Sequence, residues 1–353
     1  MRIGLVLGAG GVVGGSWLIG ALEALEAETG WNPSSADLVA GTSAGSVIGA
    51  LTASGVSPSL MAAYANGGAA DAVAELEERG DAVTSGLAGR VIDGLGDMPY
   101  RLQLALPPLG PGSWRMAVST LLRPLNHAPS ALLAGWIPRG FVSTRPISDL
   151  VGRFVDESWP QGPGRFWAIA ADYSTGRRIA FGRDDAPPAD VRDAVAASCA
   201  IPGFYHPVKI GRRRYIDGGI CSASNLDLLC DEGLDLVVCL NPMSSLARTT
   251  PRTAGERLAA RVRAQTGRRL GREARKLRER GTEVLILQPT AEDLAVMGTN
   301  FMARDRRELV IERAMRTTAR QLRRRRGRPG VVFPKQVPAR RRKAAPAARR
   351  RAA

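Results

Sequence analysis

Gly41-Thr42-Ser43-Ala44-Gly45 flanks a serine with glycines two residues before and two after it. That spacing lets a strand turn sharply into a helix and lifts the hydroxyl into the open. The chemistry suited to such a serine is acyl transfer, because the following helix aims its N-terminus at the place where negative charge develops. A serine nucleophile needs a base, and the chain holds only two histidines, His127 and His206. His206 lies close in sequence to Tyr215-Ile216-Asp217-Gly218-Gly219, so a Ser-His-Asp triad is one arrangement. A Ser43–Asp217 dyad needs fewer coincidences, with Asp217 at a turn kept open by Gly218 and Gly219. The loop Gly8-Ala9-Gly10-Gly11-Val12-Val13-Gly14 has three readings: an oxyanion hole from the amides of Gly10 and Gly11, a dinucleotide-phosphate loop, or a plain tight turn. A dinucleotide fingerprint beginning at Gly8 would want a glycine where Val13 stands, which counts against it.

These residues need rigid elements beneath them. Ile3 to Leu7 is a continuous apolar run that suits a strand buried on both faces, followed by a glycine-rich turn over residues 8 to 15. Trp17 to Glu28 then places Leu18, Ala21, Leu22 and Leu25 on one helical face. Asp37 to Ala40 leads into the serine turn and a small-residue helix over Ser46 to Ala53. Further strands are predicted at Phe166 to Ala171, Ile179 to Gly182, Leu236 to Leu240 and Val284 to Leu287, alternating with helical patterns such as Ala189 to Ser198. Such alternation indicates an α/β fold, a sheet covered by helices with its ligand site beyond the carboxyl ends of the strands.

The order of blocks resembles the patatin-like phospholipase family: the glycine loop, then Gly41-Thr42-Ser43-Ala44-Gly45, then Asp217-Gly218-Gly219. Two more blocks are similar to that family, Ala197-Ser198-Cys199-Ala200-Ile201-Pro202-Gly203-Phe204-Tyr205 and Ala170-Ala171-Asp172-Tyr173-Ser174-Thr175-Gly176. The resemblance implies a three-layer α/β/α fold around a mostly parallel sheet. It further implies Ser43 as nucleophile, Asp217 as proton acceptor, and the amides of Gly10, Gly11 and Val12 as oxyanion hole. Gly14, Gly41, Gly45, Gly218 and Gly219 are then motif glycines, the substrate is a lipid ester such as a phospholipid or lysophospholipid, and neither metal nor cofactor is required. The alternative is a catalytically silent lipid-binding or regulatory module of the same fold. Two positions depart from the pattern: Val13 stands where the family usually has Arg or Lys, and Ala9 replaces its first glycine.

The net charge of +16 over 353 residues invites a nucleic-acid reading, but its location argues otherwise. Residues 323–353 carry 13 Lys or Arg and no acid, so the rest of the chain is close to neutral. That tail has Phe333 as its only aromatic, offering charge without stacking, and attraction to anionic lipid is the simpler expectation. Residues 1–245 are expected to form the catalytic core, with an irregular, proline-punctuated insert over 55–140. This insert is either a cap over the site, giving peripheral membrane contact together with the tail, or an ordinary helical subdomain. Residues 246–322 are expected to complete the domain with helices and the strand over 284–287. Arg248 to Arg280 holds twelve basic and three acidic residues at helical spacing, a basic amphipathic helix or a solvated surface one. Cys199, Cys221, Cys230 and Cys239 sit in or beside apolar runs with no paired spacing, as buried thiols do. The opening residues run straight from a strand into the glycine loop, with no secretory leader, so a cytoplasmic setting is expected.

Overall fold

In the computed structural model the described residues are 1–66, 112–113, 115–116, 135–138, 140–155, 159–160, 165–247 and 250–325. Most of the insert expected over 55–140, with His127, and most of the basic tail lie outside them. Eight strands among the described residues form one sheet in the order β5-β6-β3-β2-β1-β7-β8, with β4 also paired to β3. They are β1 (Ile3–Leu7), β2 (Leu38–Thr42), β3 (Arg165–Asp172), β4 (Arg178–Phe181), β5 (Val208–Ile210), β6 (Arg213–Asp217), β7 (Leu236–Leu240) and β8 (Glu283–Leu287). Strands β3, β2, β1, β7 and β8 run parallel, while β4, β5 and β6 pair antiparallel. β1, β2 and β7 are buried along their whole length, as their unbroken apolar runs require. Helices cover both faces, as in a three-layer α/β/α fold.

The helix after β1 begins earlier than the glycines suggest: α1 spans Gly11–Thr29, so Val12, Val13 and Gly14 form its first turn rather than an open loop. Tertiary approach outweighs the poor helix propensity of glycine here. A Cβ on Gly14 would stand 3.2 Å from Pro242, and one on Gly20 would stand 2.2 Å from the Ile311 carbonyl oxygen. Ile311 belongs to a helix over Arg307–Arg323 that lies along α1, which is why α1 is buried nearly all round and not on the single face expected. The helix after β2, α2, likewise starts directly at the serine turn, over Ala44–Ala53. α3 (Pro58–Ala65) follows, entered through Ser57, whose hydroxyl accepts from the Leu60 amide, with Pro58 at its first position. α4 (Arg145–Phe154) and α5 (Val191–Ser198) come before and after the β3–β4 hairpin. α6 (Ala254–Glu279) opens on a reciprocal Thr253–Glu256 capping box. α7 (Ala291–Met297) and α8, the Arg307–Arg323 helix, close the described chain. Replacing Gly20 with alanine is expected to push α8 off α1 and lower stability by about 3 kcal/mol, the upper end for overpacking. Urea denaturation measures it, and an unchanged midpoint would mean that the two helices are not in this contact.

Candidate active site

The sheet brings Ser43 and Asp217 together through β3. Along one edge β3 pairs with β2, Thr42 opposite Ile169; along the same edge one residue further on it pairs with β6, Asp217 opposite Ala170. β4 occupies the other edge over residues 168–171, so the carboxyl ends of β2 and β6 meet head to head. Ser43 and Asp217 line one cavity, and the Ser43 hydroxyl lies close enough to the Asp217 carboxylate to favour its ionised form. Both side chains are buried, and the turn admits nothing bulkier than glycine at its flanks. A Cβ on Gly41 would lie 2.3 Å from the Gly45 carbonyl oxygen, and one on Gly45 would lie 2.1 Å from that of Leu7. Ser43 itself has φ of +55°, a left-handed value that non-glycine residues adopt at a cost.

Three side chains hold that strained turn. The Ser43 amide donates to Ser198 Oγ at 2.9 Å, and Ser198 Oγ donates to the Ile169 carbonyl at 2.6 Å, pinning the end of α5 to β2 and β3 together. Ser46 Oγ donates to the Ser43 carbonyl at 2.7 Å. Asn225, the other described non-glycine residue with positive φ, donates through Nδ2 to Thr42 Oγ1 at 3.1 Å and to the Ser222 carbonyl at 2.6 Å. Asp217 is fixed by its own amide, which donates to Ala200, and by the Gly219 amide, which donates to Oδ1 at 2.6 Å. Gly218 packs so closely that a Cβ would stand 2.4 Å from the Ile169 oxygen.

Burial dominates the electrostatics of Asp217. Loss of water raises its carboxyl to about 6, against the lowering effect of the Ser43 hydroxyl and the Gly219 amide. Cys199 and Cys221 line the space around Ser43, but burial pushes both thiols up, that of Cys221 to about 11, so neither supplies a thiolate at neutral pH. The four cysteines are free; Cys230 is only half-buried, unlike the other three. His206 lines neither cavity at Ser43, and its amide is tied to Val142.

The first turn of α1 faces the same spot. Of its leading amides, that of Val13 donates to the Phe301 carbonyl and that of Gly14 to Gly10. Those of Gly10, Gly11 and Val12 have no acceptor among the described residues. Gly11 lines both cavities that contain Ser43, so two helix N-termini converge beside its hydroxyl. Sequence reading missed a brace behind this turn. Arg263, buried on α6, donates from Nη1 to the Pro242 carbonyl at 2.9 Å and lies 5.3 Å over the Phe301 ring. Pro242 abuts Gly10 and Gly14, and the Phe301 carbonyl abuts Gly11.

Two cavities open on Ser43. One, of about 230 Å³, is walled by apolar side chains including Ile19, Val47, Leu51, Leu60 and Phe154. The other, of about 680 Å³, holds Asp217 and Gly219 and is bounded by α6 through Val262, Gln265, Arg269 and Arg272. The family model for patatin-like phospholipase matches residues 5–229, the span that carries both Ser43 and Asp217. The chain belongs to the patatin-like phospholipase family. Its match thus spans β1 to the segment after β6, while β7 and β8 extend the sheet past it. Curated relatives include uncharacterized NTE family proteins of Mycobacterium bovis and Mycobacterium tuberculosis, 30% identical over 105 residues, which is 30% of this chain and 17% of theirs. Among solved structures, VipD from Legionella pneumophila aligns at TM-score 0.37 and 13% identity over 88% of this chain and 67% of that one. The type III effector protein ExoU aligns at 0.33 and 16% over 92% and 53%.

A carboxyl whose folded value exceeds its unfolded one destabilises the protein at high pH, and that penalty fades as pH falls through about 6 towards the ordinary carboxylate value near 4. Asp217→Asn is therefore expected to stabilise the fold by about 3 kcal/mol at pH 8, with the gain shrinking towards pH 4. Urea midpoints across that range measure the difference. A pH-independent difference would contradict the raised value.

Proposed function

We propose that the protein hydrolyses lipid acyl esters, with Ser43 as nucleophile and Asp217 as its general base. The observation that carries the reading is the position of Ser43 at the junction of an apolar cavity and a more polar one, the second of which also holds the buried carboxylate of Asp217 with its raised pKa. The apolar cavity suits the acyl chain, and the cavity beside Asp217 suits the alcohol portion. Ser43 Oγ attacks the ester carbonyl carbon while Asp217 takes its proton, and the amides of Gly10, Gly11 and Val12 hold the oxyanion. Collapse expels the alcohol, which takes the proton back from Asp217 and leaves an acyl-serine. Water then attacks the acyl carbon, again giving its proton to Asp217, and a carboxylic acid and free Ser43 are regenerated. With a value of about 6, Asp217 is mainly ionised at neutral pH and still basic enough for this task.

The phospholipid or lysophospholipid identity of the substrate belongs to the same proposal, supported by the family description. No described helix is long and apolar enough to cross a membrane, so contact with the lipid is read as peripheral. In this reading residues 1–245 form the catalytic core, and residues 246–322 close it through β8 beside β7 and α8 on α1. Hydrolysis of p-nitrophenyl butyrate tests the chemistry. Ser43→Ala is expected to lower kcat by about 1,000-fold or more, and a fluorophosphonate is expected to label Ser43 alone. Equal rates for the variant and the parent would refute the proposal.

A further inference from the structure

We propose that the mouth of the Asp217-side cavity is a docking face for an anionic lipid surface, built from one stripe of α6 and the exposed residues Trp136, Ile137 and Phe141. The inference rests on the lipid-hydrolase reading, because this cavity holds both Ser43 and Asp217 and an ester drawn from a lipid aggregate can reach them through it. On α6, Leu258, Val262, Gln265, Arg269 and Arg272 follow one another at alternating steps of four and three, which places them along a single helical face. The last four of these line the cavity wall. Leu258 continues the stripe outward and is 64% exposed, an isolated leucine among arginines.

Ile201 and Pro202 line the same cavity. Ile137 packs beside the adjoining Gly203, its Cγ2 2.8 Å from where a Cβ would stand, and Val142 bridges to Tyr205. Trp136 is 47% and Phe141 36% exposed on the same segment. Exposed apolar side chains thus stand on α6 and on the segment that packs beside Gly203, next to the lining residues Ile201 and Pro202. The cations belong to the same face: Arg257, Arg261, Arg268 and Arg272 are exposed, and among the described residues no carboxylate pairs with them. Two of the three acids on α6 are already committed, Glu256 to the capping box and Glu273, buried, to Arg269, Ser224 and the Leu226 amide. Exposed Leu258 and Val262 with cations along their flank match the pattern of a helix that lies in an anionic bilayer surface.

The test is sedimentation of the full chain, carrying Ser43→Ala so that vesicles stay intact, with phosphatidylcholine vesicles that contain or lack phosphatidylglycerol. Binding to the anionic vesicles is expected and should weaken with salt. Leu258→Ser with Ile137→Ser is expected to cut the partition coefficient about tenfold, and Arg257→Glu with Arg261→Glu about 25-fold, each lost cation near the surface being worth roughly fivefold. The same pairs in the Ser43 protein should hydrolyse p-nitrophenyl butyrate at the parent rate, which confirms that they fold. Both pairs binding like the parent, as when the basic tail or another face of the protein dominates, would overturn the proposal, as would equal binding to vesicles lacking phosphatidylglycerol. Failure of the hydrolase reading would appear separately, as absence of parental activity on the soluble ester while vesicle binding is unaffected.

Discussion

β3 offers one edge to two strands that arrive from opposite directions, β2 ending at Thr42 and β6 at Asp217, and the site follows from that shared edge. Residues 174 apart in the chain are set side by side by backbone pairing, without help from a flexible loop. The requirement for space at this junction explains the glycines: Gly41, Gly45 and Gly218 each sit where a Cβ would meet backbone at 2.4 Å or less. Ser198 ties the same junction together, since its hydroxyl takes the Ser43 amide and gives to the β3 carbonyl at Ile169.

The junction carries two unfavourable features that the surrounding fold has to offset. Ser43 is held at positive φ, and Asp217 is buried with no cation among the described residues to compensate it. Each costs on the order of a few kcal/mol, and each is what the proposed chemistry would use, an exposed hydroxyl and a carboxylate of raised basicity. The convergence of α1 and α2 supplies the remaining component, amides without acceptors among the described residues where the proposed chemistry would develop negative charge. Arg263 extends this logic one layer outward by gripping Pro242 and Phe301 behind the glycine turn, from an element far along the chain. It braces from outside a turn whose own position 13 is valine.

Much of this was legible in the sequence, because the strands that matter are unbroken apolar runs and the turn glycines have spacing with steric meaning. β1 and β7 fall where hydrophobicity puts them, and Ser43 and Asp217 stand together as their motifs imply. The rest depended on tertiary contacts. Gly14 reads as part of a glycine turn, yet lies within α1, where Pro242 presses against it as α8 does against Gly20. The β5–β6 hairpin is short and arginine-rich on its outer positions, so no alternation marks it. Ser198, Asn225 and Arg263 have no local signature: a serine at a helix end, an asparagine in a polar turn and one arginine among many acquire their roles only through partners distant in sequence.

In the proposed mechanism a buried aspartate, and not a histidine, activates Ser43. The pH dependence of kcat/KM on a soluble ester tests it most directly. The account predicts a rate that rises with pH through a single inflection near 6 and then levels off, unchanged by His206→Gln and reduced to a low residual rate by Asp217→Asn. A profile flat across about pH 5 to 8, or an inflection abolished by His206→Gln, would contradict it.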